Sequence, residues 1–113
     1  SLKLPQERAI NTVSTVIQRL TREPAEVFGL DVGTLDIGAQ ADIALINPEA
    51  LKDWSCDATR ELEYRELFQH KQMVNRPQGI VARVLISGES VWQDGDFTEV
   101  LGSRPLGRAL RAA

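Results

Sequence analysis

The side chains able to do chemistry in this chain are few, and they stand far apart. It holds a single His, His70, and a single Cys, Cys56. A hydrolytic zinc site needs three or four His, Cys or carboxylate ligands converging on one ion, and neither a His-x-His nor a Cys-x-x-Cys pair occurs. His70 falls late in a predicted helix, where a surface or capping role is expected, and no Gly-x-Ser-x-Gly elbow accompanies it to suggest a Ser-His-Asp triad. Cys56 follows Trp54-Ser55 in a predicted loop. A reactive thiolate there needs a cationic neighbour or a helix N-terminus, and a partly buried bystander is the expectation. The acid pairs Glu61 with Glu63 and Asp94 with Asp96 could hold a hard cation but lack the spacing of a calcium loop, so they read as solvated surface. Gly33 and Gly38 stand at phosphate-loop spacing without the following Lys-Ser or Lys-Thr, which leaves them as turn glycines. Trp92 and Phe97 flank a turn and are expected in the core, with an aromatic ligand platform as the alternative. No catalytic and no metal-ligating residue is assigned.

Composition narrows the remaining classes. The chain has 113 residues, with 13 Lys and Arg against 16 Asp and Glu and a net charge of −3, which disfavours nucleic acid and anionic lipid as partners. One cysteine cannot close an intrachain disulfide, so a reducing cytoplasm is expected. The opening Ser1-Leu2-Lys3-Leu4-Pro5 lacks the apolar stretch of a secretory signal. Charges also interrupt every window of the roughly 20 apolar residues that a membrane span requires.

The elements that must position these residues follow from periodicity. Ala9, Ile10, Val13, Val16, Ile17 and Leu20 recur at three- and four-residue steps and predict a helix from Pro5 to Leu20. Its β-branched Thr12, Val13, Thr15, Val16 and Ile17 weaken intrinsic propensity, so this helix depends on packing. Pro24 and Gly29 bracket a second, short helix. Gly33 to Gly38 then reads as a turn before a buried strand over Asp42–Asn47, and residues 47–57 read as loop. Acids early and His70 with Lys71 late, with Tyr64, Leu67 and Phe68 at helical spacing, predict a helix over 57–74. Period-two alternation from Ile80 to Ile86 marks the clearest strand. Gly88-Glu89 suits a type II′ turn into Ser90–Gln93, and Asp94-Gly95 marks a further turn toward Phe97–Val100. The tail from Gly102 reads as extended or as a frayed helix. The expected fold class is α+β, a small β-sheet with an N-terminal helical segment and one inserted helix. Residues 1–113 are expected to form a single unit: 1–30 helical, 31–48 and 79–100 β, and 57–74 helix.

Two blocks resemble the C-terminal signature of amidohydrolase-superfamily enzymes. Gly33-Thr34-Leu35-Asp36-Ile37-Gly38-Ala39-Gln40-Ala41-Asp42-Ile43 is similar to their G-x-L-x-x-G-x-x-A-D-hydrophobic motif, and Val84–Trp92 with Asp94-Gly95 is similar to their later V-x-V-x-G-x-x-V strand pair. The stretches from Leu20 to Leu30 and from Gly102 to Arg111 resemble the ends of N-acyl-D-amino-acid deacylases, or D-aminoacylases. The helix before Thr21 is longer than that group's pattern. The resemblance implies a TIM-barrel hydrolase that binds zinc or a similar divalent metal, with its metal-binding His residues and catalytic Asp upstream of this segment. This segment would then be the C-terminal portion of the enzyme: its last helices plus part of a β-domain built jointly from both ends of the chain. It would hold no cofactor and be inactive alone. The signature residues Gly33, Gly38, Ala41, Asp42, Gly88 and Gly95 then have folding roles: the glycines permit turns, and Asp42 accepts hydrogen bonds from turn N–H groups. The expected partners are the N-terminal barrel portion and, for this chain alone, a second copy of itself, because strands without their neighbours expose apolar surface. The alternative is a free-standing, non-catalytic interaction module that binds a protein or peptide by strand addition.

Overall fold

A computed structural model describes the backbone of residues 5–112 and the side chains of residues 11–112. Helix α1 spans Pro5–Leu20 and α2 spans Arg22–Phe28. Within α1, Thr15 Oγ1 donates to the Asn11 carbonyl at 2.8 Å, satisfying in the helix a side chain that otherwise competes with it. The side chains of Ala9 and Ile10, expected on the apolar face, lie outside the described residues. The remainder of that face is open, with Val13 56%, Ile17 50% and Leu20 71% exposed. Helix α2 ends as its sequence requires. Gly29 adopts a left-handed φ of 65°, its N–H donates to Glu26 O at 3.2 Å, and the Leu30 N–H donates to Ala25 O at 2.8 Å. That pair of bonds is a Schellman cap, and Ala25 beneath it is buried.

Strand β1 covers Ile43–Ile46 and is followed by two short helices, α3 at Pro48–Lys52 and α4 at Cys56–Thr59. Residues 47–57 were expected to be loop. Asn47 instead caps α3, its side chain accepting from the N–H groups of Glu49 at 3.1 Å and Ala50 at 3.2 Å, with Pro48 pre-set at the first helical position.

The helix expected over 57–74 is not formed beyond the single turn of α4. Strands β2, Arg60–Arg65, and β3, His70–Asn75, pair as an antiparallel hairpin joined by a 3-10 turn at Glu66–Phe68. Leu62 lies opposite Met73, and Tyr64 opposite Lys71. The helical spacing was accidental: Tyr64 belongs to a strand, while Leu67 and Phe68 belong to the turn that reverses the chain. Gln69, left-handed at φ 56°, completes the reversal.

Strands β4, Val81–Ile86, β5, Glu89–Gln93, and β6, Asp96–Phe97, join β1 in a four-stranded antiparallel sheet of order β1-β4-β5-β6. The turn between β4 and β5 sits one residue earlier than expected. Ile86 pairs with Glu89, and Ser87 and Gly88 both have positive φ, 52° and 81°, the pattern of a type I′ rather than a type II′ turn. Asp94 and Gly95 repeat that pattern at 54° and 81°. Two irregularities break strict alternation. Leu45 pairs with Arg83 and Ile46 with Val81, leaving Ala82 unmatched; Val84 pairs with Trp92 and Leu85 with Ser90, leaving Val91 unmatched. Val91 and Ile80 are the buried apolar residues of this region.

The α+β class is therefore observed, and two compact units are distinguished within it: residues 1–41 with 107–113, and residues 42–106. Helix pairing is internal to the first, and all strand pairing to the second. Among the described residues no helix is long and apolar enough to cross a membrane.

Candidate functional site

The residues singled out as a signature occupy turns and clasps. Gly33, at φ 86°, lies against the start of α2 so closely that a Cβ there would stand 2.8 Å from the Thr21 carbonyl oxygen and 3.0 Å from Arg22 N. Gly38 has φ 89° but open space around it, so backbone conformation alone demands glycine. Gly88 and Gly95 hold the second central positions of the two sheet turns. Ala41, half-buried, immediately precedes Asp42.

Asp42 makes the long-range contact of the set. Its Oδ1 accepts the Ser87 backbone N–H at 2.8 Å, joining the end of the first signature block to the turn inside the second, 45 positions away. Ser87 has a further role, its Oγ donating to the Leu106 carbonyl at 2.5 Å, and Glu89 forms an ion pair with Arg104. The β4–β5 turn thus clasps both the entry to β1 and the segment that follows β6. Spacing could not have revealed Ser87 as this partner, because the contact exists only once the sheet has closed. Asp42→Ala should cost about 1 kcal/mol, the net worth of an exposed hydrogen bond to a charged acceptor, and should lower the urea midpoint of the sheet transition. An unchanged midpoint would remove Asp42 from this role.

Trp92 and Phe97 pack edge to face, ring centroids 5.0 Å apart at 77°, and Trp92 Nε1 donates to Val81 O at 3.2 Å. With Val84, Ile86, Val91 and Leu101 they line an apolar groove of about 660 Å³. A second hollow of about 780 Å³ lies between α1, α2 and the loop from Gly33 to Asp36. At its edge Arg22 Nε donates to Glu26 Oε1 at 2.7 Å. That hydrogen bond, together with the Glu26 charge and a smaller effect from Asp36, holds the Arg22 guanidinium protonated above its usual range.

The chemistry-bearing side chains remain dispersed. Cys56 is exposed, not partly buried as expected, and its Sγ accepts from Asn75 Nδ2 at 3.0 Å. Asn75 Oδ1 in turn accepts from Thr59 Oγ1 at 2.6 Å, and Thr59 Oγ1 accepts from Trp54 Nε1 at 2.8 Å. This network ties the two ends of the β2–β3 hairpin together. His70 opens β3 with Nδ1 at 2.8 Å from Phe68 O and Nε2 at 3.2 Å from Gln72 Nε2. A carbonyl can only accept, so the proton lies on Nδ1 and Nε2 accepts from the Gln72 amide. Glu63 is bridged to Arg76 at 3.0 Å, Asp96 Oδ1 accepts the Phe97 N–H at 2.7 Å, and Asp94 Oδ2 accepts from Gln93 Nε2 at 3.2 Å. Among the described residues no three His, Cys, Asp or Glu side chains converge as a ligand set. These residues do not fit the donor set of a catalytic divalent ion.

The sequence model of the amidohydrolase family matches residues 1–91. A dihydroorotase of Geotalea daltonii is 38% identical over 60 residues, 53% of this chain and 13% of that protein. An uncharacterised protein of Mycobacterium tuberculosis is 36% identical over 86 residues, 76% of this chain and 14% of that protein. A dihydroorotase of Enterococcus faecalis is 51% identical over 41 residues, 36% of this chain and 10% of that protein. The chain thus spans only 10% to 14% of the length of these relatives. No solved structure matches it. With more than half its length matched by the family's own sequence pattern, the chain belongs to the amidohydrolase family.

Proposed function

We propose that this chain is the C-terminal structural portion of a metal-dependent amidohydrolase that hydrolyses the amide bond of N-acyl-D-amino acids. The proposal is supported by the family match over residues 1–91, within which the clasp between Asp42 and Ser87 joins the two signature blocks. The divalent ion, its ligands and the proton-handling carboxylate belong, in this reading, to the N-terminal barrel portion. The D-aminoacylase assignment rests on the likeness of Leu20–Leu30 and Gly102–Arg111 to the ends of those enzymes. The matched dihydroorotases support a second reading, in which the same portion completes an enzyme with their substrate.

Reading the genomic DNA upstream tests the first half of the proposal. An in-frame barrel coding region with His-x-His is expected, whereas a start codon beside Ser1 would favour an interaction module that uses the edge strand β1. The complete gene product, supplied with zinc, should then turn over N-acyl-D-amino acids, and the 113-residue chain alone should not. Turnover of dihydroorotate in place of N-acyl-D-amino acids would establish the second reading, and robust hydrolysis by the chain alone would overturn both.

The open apolar faces fit the same proposal. Val13, Ile17 and Leu20 on α1 are seats for the barrel portion, and with that portion missing the chain associates with itself. Sedimentation at micromolar concentration should show dimers or larger species, and Ile17→Glu with Leu20→Glu should shift the distribution toward monomer. A strictly monomeric profile for the unaltered chain would exclude self-association.

A further inference from the structure

We draw no further inference here: the strongest candidate, the exposed apolar face of the β2–β3 hairpin carried by Leu62, Tyr64 and Met73, carries nothing because nothing in the structure shows what covers it.

Discussion

Replacing Gly33 with valine should destabilise the helical unit by about 2–6 kcal/mol. Two penalties add. At φ 86° a β-branched residue carries backbone strain of about 1–3 kcal/mol. Its Cβ would also stand 2.8 Å from the Thr21 carbonyl oxygen, a contact with backbone that no rotamer change relieves, so either the loop or the start of α2 must move. Overpacking of this kind costs about 1–3 kcal/mol more. A domain's whole stability is about 5–15 kcal/mol, so a loss of this size is a large fraction of it. The measurement is the far-ultraviolet helix signal followed through urea, and Gly38→Val is the matched control. That position shares the positive φ but has open space, so it should show the backbone penalty alone. Equal midpoints for the two variants would rule out the close approach to Thr21 as the reason for glycine at 33.

Val91→Asp should disrupt the four-stranded sheet to a similar degree. Val91 is the unmatched residue of β5, only 4% exposed, among Val84, Ile86 and Trp92 in the apolar groove. A carboxylate placed there meets the apolar Val84, Ile86 and Trp92, while Arg76, the cation that lines the same groove, is already bridged to Glu63, and a buried charge left without a partner costs about 3–5 kcal/mol. The sign of the pH dependence follows from desolvation. Burial raises the folded-state pKa of the new carboxyl above its unfolded value of about 3.9, so the folded form binds the proton more tightly. The deficit is then full above the raised folded pKa and shrinks as pH falls through it toward the unfolded value. The gap in urea midpoint between Val91→Asp and the unaltered chain should therefore narrow on acidification. Val91→Thr keeps the shape and adds no charge, and its smaller deficit should be independent of pH. A Val91→Asp midpoint equal to that of the parent chain would contradict burial at this bulge.

Some of this fold could be read directly from residue order. The α1 periodicity, the Gly29 cap and the Asp94-Gly95 turn are set by neighbours within a few positions, and each formed where expected. The Asn47-Pro48 cap was equally local, yet Asn-Pro also ends strands, and only the two N–H groups donating to the Asn47 side chain distinguish the two uses. Between Arg60 and Asn75 local signals misled. Acidic-to-basic order and the spacing of Tyr64, Leu67 and Phe68 imitate a helix, whereas cross-strand pairing of Leu62 with Met73 and the clasp among Trp54, Thr59 and Asn75 are long-range terms that outweigh it.

The same division holds for the signature. Residue order alone established the family resemblance, the turn role of its glycines and the scarcity of chemistry-bearing side chains, since these depend on residue type and short spacing. Tertiary structure decided why Gly33 and Asp42 are needed where they stand. One meets a carbonyl 12 positions earlier, and the other a turn N–H 45 positions later. Neither contact can be read from spacing, because each arises only when packing brings distant backbone within hydrogen-bond or van der Waals range.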